Sequence, residues 1–321
     1  MANSDVCEFK HVKVFDTDGN LLNAWGLRGY ADGEFLHLHG IALDSKENIY
    51  TTDEEKRIVQ KFNNNGTFLT KWGSPGNGEG QFSGKLEDIA VDAEDNVYVV
   101  DYGNHRIQKF DSNGNFITAW GEKGPGPGQF DRPWGVAFDS NGSVYVTDLN
   151  NFRIQVFDKN GEFLYMWGKE GTEPGNFIHI HAIAIDKNDH VYVSDARENG
   201  EIHKFDLKGN LITEWGSAGD GDGQFTEHHG IDFDSKGNVY VLDTGNQRVQ
   251  KFTPDGGLLS VWERPGVADN EFIMAQDIVI DQNDNVYISD VGPAHPEISY
   301  VERAIEENPP TCNLEIQENN N

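Results

Sequence analysis

Six copies of one unit of 47 or 48 residues, each reading as four short strands with no helical period between them, predict an all-β fold: a six-bladed β-propeller of four-stranded antiparallel blades. Two registers carry the period. A Trp ends a strand-like run at Trp25, Trp72, Trp120, Trp167, Trp215 and Trp262, and an Asp closes another at Asp53, Asp101, Asp148, Asp195, Asp243 and Asp290. The third observation is phase. The chain opens on two strands that read as the outer half of a unit and closes on two that read as the inner half, so one blade is expected to combine both ends.

The third unit illustrates the elements. Gly135 to Asp139 is short and apolar, and Ser140-Asn141-Gly142 turns the chain. Val144 to Thr147 is apolar on both faces and is expected to be buried on both. After Asp148, a loop of Leu149, Asn150 and Asn151 leads into Arg153 to Phe157. Asp158-Lys159-Asn160-Gly161 reads as a hairpin, since Asn-Gly supplies positive φ angles, and Phe163 to Trp167 is the fourth strand. In the shared blade, His11 to Phe15 and Leu21 to Trp25 join Asp277 to Asp281 and Val286 to Asp290. Closing the ring this way removes the exposed edge along the direction of blade stacking. The domain is expected over residues 9–290, with tails at 1–8 and 291–321.

Charge narrows the partners. The 321 residues hold 25 Lys and Arg against 54 Asp and Glu, a net charge of −29. Such a surface repels phosphate backbones over a Debye length of roughly 8 Å at physiological salt. Nucleic acids and anionic membrane surfaces are therefore excluded as expected partners, and neutral or cationic ones favoured. No apolar run approaches the ~20 residues of a spanning helix, and the first thirty residues lack a signal-peptide pattern. The two cysteines cannot form a disulfide framework. Cys7 and Cys312 either tie the chain's ends together or stay as two unpaired thiols in tails.

The stretch Asp101-Tyr102-Gly103-Asn104-His105-Arg106-Ile107-Gln108-Lys109-Phe110, its counterparts Asp148 to Phe157 and Asp243 to Phe252, and the segment from Trp120-Gly121 to Gly128-Gln129-Phe130 resemble NHL repeats. The resemblance spans roughly residues 9–290. It implies the propeller but no single function, because that family includes binding modules, sensor domains and at least one enzyme class. Acidity, the terminal cysteines and this type of repeat together lean towards an extracellular or periplasmic protein.

Groups present in several copies are expected to be structural. Asp101, Asn104 and Arg106 recur as Asp148, Asn151, Arg153 and as Asp243, Asn246, Arg248, which fits a charge-assisted bond holding each blade's loop. The turns Asp186 to Asp189 and Asp281 to Asn285 resemble fragments of calcium loops but lack the twelve-residue spacing and closing Glu. Asn65-Gly66-Thr67 and Asn141-Gly142-Ser143 fit a glycosylation pattern but coincide with hairpins.

Function is expected where the copies diverge. The residue immediately before the Gly, Asp or Ala that opens each innermost strand is His39, Glu87, Trp134, His181, His229 or Gln276, six side chains expected to ring the channel mouth. Tyr102, Asn150, Arg197 and Glu198, on the loops between second and third strands, are expected to overlook it. Imidazoles converging with a carboxylate on a polar opening suit a divalent ion. Zinc is favoured by nitrogen ligation, with calcium the alternative. The bland reading is that these His cap strand starts. Because His39 and His181 stand three blades apart, they can share one ion only across a narrow mouth.

A second, narrower resemblance concerns the peptidyl-α-hydroxyglycine amidating lyases. His39-Gly40-Ile41-Ala42 is similar to that family's first zinc-ligand segment, Asp195-Ala196-Arg197-Glu198-Asn199-Gly200 to the loop after its second, and Met274-Ala275-Gln276-Asp277-Ile278-Val279 to its third. The resemblance implies His39 and His181 as ligands, Tyr102 and Arg197 as catalytic residues, and Met274, Gln276 and Asp277 near the ligand. Gln276 stands where the third ligand His belongs, and His229 is the imidazole that restores three. The family spaces its ligands by two blades, unlike this pair. The competing expectation is a binding propeller for a protein, peptide or small molecule, with Trp134 as ligand anchor or channel plug.

Overall fold

The computed structural model describes residues 9–196, 200–266 and 268–292. Cys7, Cys312, Arg197 and Glu198 lie outside the described residues, so the terminal bond and the proposed catalytic Arg are not seen. Six four-stranded antiparallel sheets form six blades. Blade 3 runs Pro133–Phe138, Val144–Asp148, Arg153–Phe157 and Phe163–Trp167. Blade 6 joins Ala275–Ile280 and Val286–Asp290 to Val12–Phe15 and Leu21–Trp25, with Val12 opposite Ser289 and Phe15 opposite Val286. Among the described residues no helix is long and apolar enough to cross a membrane.

The core lies between blades. One apolar cluster joins Tyr145, Ile154 and Val156 of blade 3 to Ile180, Ile183 and Val193 of blade 4, and five equivalents repeat around the ring. This explains second strands such as Val144–Asp148, which are buried along their whole length. The closing interface is built the same way: Val12, Val14 and Tyr287 of blade 6 pack with Leu38, Ile41 and Ile49 of blade 1.

The repeated Trp and the repeated hairpin Gly form one device across neighbouring blades. A Cβ added to Gly161 would lie 2.6 Å from Trp120 of the preceding blade, and Gly66, Gly114, Gly209, Gly256 and Gly19 stand likewise against Trp25, Trp72, Trp167, Trp215 and Trp262. In the sequence, the Asn-Gly pairs at Gly66 and Gly161 point to turn geometry alone. Close approach of the indole is a second, independent demand. Gly142 and Gly161 separate the two, since both follow Asn and have φ of +81° and +89°, but nothing lies within 4 Å of a Cβ at Gly142. Gly142→Ala should cost about 1–2 kcal/mol of backbone strain. Gly161→Ala adds an overpacked contact and should cost a further 1–3 kcal/mol or so. Chemical denaturation of the two variants side by side checks the order.

The recurring Asp is the anchor of each blade's loop. Asp148 is fully buried, accepts the Asp131 N–H at 2.7 Å, and is bonded by Asn151 Nδ2 at 2.9 Å, Arg153 Nε at 2.8 Å and Gln155 Nε2 at 3.1 Å. Asp101 and Asp243 repeat the arrangement with Arg106 and Arg248. The turn aspartates are equally structural: Asp281 Oδ1 accepts the N–H groups of Asn283 and Asn285, both at 2.8 Å, as Asx turns do.

Candidate functional site at the channel mouth

Each innermost strand carries a register shift at its ring residue, between Leu38 and Ile41 in blade 1 and between Pro133 and Val136 in blade 3. A bulge there re-aims one side chain and frees a backbone N–H. A hydroxyl one residue before the recurrent Asp takes that N–H: Gly40 to Thr52 Oγ1 at 2.8 Å, Gly135 to Thr147 at 2.7 Å, Ala182 to Ser194 at 2.8 Å and Asp277 to Ser289 at 2.9 Å. The Thr-Asp and Ser-Asp pairs were visible in sequence, but their purpose was not.

An axial cavity of about 300 Å³ is lined by His39, Glu87, Trp134, His229, Gln276 and Asp277 together with the Ala, Val and Ile residues of the innermost strands. His181 lies beside it, stacked on Trp134 with ring centroids 4.1 Å apart. The rings of His181 and His229 are 5.0 Å apart, and those of His229 and His39 6.3 Å. Trp134 also lies 5.7 Å from His229, 6.1 Å from His39 and 6.0 Å from Tyr102. One indole from blade 3 therefore reaches rings from four other blades. The mouth is narrow, and Trp134, still half-buried, occupies it.

Hydrogen-bond partners orient two of the imidazoles. His229 Nδ1 is 2.7 Å from Gln276 Oε1, so Nδ1 donates and Nε2 keeps its lone pair. Gln276 thus holds a histidine in place. His39 Nδ1 lies 2.5 Å from the Glu87 carbonyl oxygen, and its Nε2 lies 3.0 Å from Glu87 Oε2. Burial pushes His39 well below the usual imidazole range, and the neighbouring His229 and His37 add to the effect. Burial likewise raises the Glu87 carboxyl to about 8. Among the described residues, neither Glu87 oxygen makes an aligned hydrogen bond. At neutral pH the pair is a neutral imidazole facing a largely protonated acid.

Tyr102 opens the 3-10 turn Tyr102–Asn104, with the Arg132 guanidinium 5.8 Å from its ring centroid. Burial raises its phenol, and Arg132 opposes the shift. Met274 does not line the cavity; its backbone N–H bonds Asp290 Oδ1 at 3.0 Å. Asp277 does line it, in company the sequence reading did not single out. Asp277 Oδ2 accepts the Ile41 N–H of the next blade at 2.9 Å, Asp88 Oδ2 that of Val136 at 2.8 Å, and Asp232 Oδ2 that of Ile280 at 2.6 Å. Burial raises all three carboxyls, Asp232 to about 7, and the charges of Asp88 and Asp232 push Asp277 further. An Asp where other blades place Gly or Ala was the available signal.

The three ring imidazoles converge without meeting at ligand distance. Among the described residues, the trio of His, Cys, Asp or Glu side chains with donor atoms within 4.8 Å of one another is Glu201, His203 and Glu214, on the third and fourth strands of blade 4. His228, the neighbour of His229, is turned away from the mouth, its Nε2 lying 3.0 Å from the Glu201 carbonyl oxygen.

Solved structures share the architecture. A streptogramin B lyase superposes with a TM-score of 0.60 at 16% identity, over 88% of this chain and 81% of that one. A virginiamycin B lyase from Staphylococcus aureus gives 0.57 at 13%, over 79% and 95%. A gluconolactonase from Xanthomonas campestris gives 0.58 at 16%, over 80% and 86%. At such identities the likeness is one of fold. None of the curated proteins matches the sequence. The NHL repeat model matches residues 85–110, 130–157, 177–205 and 229–252, one stretch in each of blades 2 to 5. With four matched repeats in a closed ring of six like blades, this chain is a six-bladed β-propeller that carries NHL repeats.

Proposed function

We propose that this protein is a recognition propeller whose axial mouth binds a small molecule or peptide end, neutral or cationic. The observation that carries this reading is Trp134, a half-buried indole gathered with three imidazoles and Tyr102 over a cavity that contains four carboxyl groups. An aromatic face with a few convergent polar groups is what a small-ligand site requires. The carboxyls select for charge. Glu87, Asp88, Asp232 and Asp277 hold protons to unusually high pH, so a bound cation displaces protons and binds more tightly as pH rises from 6 to 8. Calorimetry of a cationic peptide in buffers of different ionisation enthalpy tests this. Trp134→Ala should weaken the complex by about tenfold or more, as loss of a central aromatic anchor does. Unchanged affinity in that variant refutes the reading.

A divalent ion, zinc first, enters the same proposal. His39, His181 and His229 would hold it only after His39 turns from Glu87, because their donors do not now stand at ligand spacing. Metal analysis of the purified protein, with His39→Ala and His229→Ala as comparisons, tests this part separately.

The second reading is an amidating-lyase-like reaction on an α-hydroxyglycine peptide or related carbinolamide. A carboxyl titrating near 8 beside a neutral imidazole favours it, since general acid–base groups work best near the operating pH. Glu87 and His39 would carry the proton and Tyr102 would orient the hydroxyl. Turnover of an α-hydroxyglycine peptide, abolished by Tyr102→Phe, supports it, and no turnover leaves the binding reading standing alone.

A further inference from the structure

Blade 4 departs from the anchor that organises its neighbours. In blades 2, 3 and 5 the third strand begins with Arg106, Arg153 or Arg248, each within 2.8 Å of the recurrent Asp, and two residues later Gln108, Gln155 or Gln250 bonds the same carboxylate. In blade 6 Lys13 meets Asp290 at 2.9 Å. The third strand of blade 4, Glu201–Phe205, has Glu201 in the Arg position and His203 in the Gln position. Across from His203 stands Glu214, where the other blades place Lys71, Ala119, Met166, Val261 and Ala24. Two acids and an imidazole have replaced a cation and an amide.

Their geometry is that of a pocket for a positive ion. His203 is 1% exposed, wedged between Phe177 and Phe205. Its Nδ1 lies 3.2 Å from Glu214 Oε2, and its Nε2 lies 3.7 Å from Glu201 Oε2 and 3.9 Å from Asp195 Oδ2. Among the described residues, neither ring nitrogen nor Glu214 Oε2 makes an aligned hydrogen bond, although each is buried. One donor atom from each of Glu201, His203 and Glu214 falls within 4.8 Å of the other two. Both Glu side chains are about 30% exposed, leaving a solvent side for water ligands.

We propose that Glu201, His203 and Glu214 form a divalent-cation site on blade 4, away from the axial mouth, which replaces the Arg latch of blades 2, 3 and 5. One imidazole with two carboxylates suits a borderline first-row ion, Zn²⁺ or Mn²⁺, whereas Ca²⁺ prefers an all-oxygen shell. The ion ties the third strand to the fourth, as Arg153 ties blade 3 through Asp148.

The repeat supplies its own control. Glu201→Arg with His203→Gln rebuilds the pair that blades 2, 3 and 5 carry, so this variant is expected to fold without metal. The full chain, stripped with chelator, is titrated with ZnCl₂ and separately with MnCl₂ by calorimetry and, for Mn²⁺, by electron paramagnetic resonance. The wild type should bind one equivalent that the rebuilt variant lacks, and that His39→Ala with His229→Ala retains. Glu214→Gln, a milder change, should weaken that equivalent by about tenfold or more. With His39→Ala and His229→Ala in place, Zn²⁺ should raise the Tm, and adding Glu201→Arg with His203→Gln should leave it unmoved. Equal stoichiometry and affinity in wild type and rebuilt variant would overturn the proposal. So would a wild type that takes up neither ion.

Discussion

Lys13→Met should destabilise the protein by about 3–5 kcal/mol, the range found when one partner of a buried ion pair is removed. Lys13 and Asp290 are both fully buried, 277 residues apart in the chain, with Nζ and Oδ2 at 2.9 Å. Lys13 Nζ also donates to the Glu271 carbonyl oxygen and sits 4.3 Å from the Phe9 ring centroid. Methionine fills similar space but, among the described residues, leaves Asp290 with the backbone donors of Ile273, Met274 and Gly292. The site matters beyond its own energy because it lies where the first and last strands of the ring pair. Loss there opens a blade internally, so unfolding should also become faster. Lys13→Gln separates charge from position: blades 2, 3 and 5 use Gln at the equivalent place, and that variant should lose less than Lys13→Met. Urea denaturation of the three proteins decides it, and equal stability of Lys13→Met and wild type would show that the pair contributes nothing.

The ring was legible in sequence because its period is held by residues with one job in every blade. The Trp meets the next blade's hairpin Gly, the Asp collects the loop's N–H groups, and neither can drift without breaking an interface. Strand ends were less legible where a bulge intervenes. The first strand of blade 3 was expected at Gly135 to Asp139 and runs Pro133–Phe138; that of blade 6 was expected at Asp277 to Asp281 and runs Ala275–Ile280. The bulge adds a residue that breaks strict alternation, so the ring residues read as lying before the strand when they lie inside it. His11, expected to open the third strand of blade 6, precedes Val12–Phe15.

Divergence among copies marked where to look in the mouth, but not what meets what. Whether Trp134 reaches His39 or His181 depends on channel width and side-chain direction, which no spacing encodes. The same limit hid Asp88 and Asp232, which look like single departures from Gly or Ala until the ring brings them into one lumen with Asp277. It hid blade 4 as well. Glu201 and His203 are ordinary strand residues in isolation, and become unusual only against the Arg and Gln that the fold superposes on them.

Glu87 predicts a stability profile opposite to that of most acidic proteins, which lose stability as carboxylates are protonated. Its carboxyl stands at about 8 when folded against an ordinary 4.5, because burial disfavours the charged form. The folded state therefore binds the proton more tightly than the unfolded chain does. The contribution from this group is fully favourable below about pH 4.5, declines as pH rises, and is lost above about 8, a span worth up to about 5 kcal/mol at 1.36 kcal/mol per pH unit. Asp232, raised to about 7, acts in the same sense, as do Asp88 and Asp277. The Tm should accordingly fall between about pH 6.5, above which the buried histidines no longer contribute to the slope, and about 8. Glu87→Gln keeps the shape and a neutral donor beside His39 while removing the ionisation, so its Tm should fall less steeply and exceed that of the wild type at pH 8. His39 opposes this trend below its ordinary 6.5: its folded value lies lower, so its contribution is lost as pH falls through 6.5 and stays constant above it. A cationic ligand or metal ion at the mouth should flatten the wild-type slope by stabilising the ionised carboxyls, and should leave Glu87→Gln less affected. Parallel Tm profiles for wild type and Glu87→Gln would mean that Glu87 ionises freely and that the mouth is wetter than its geometry implies.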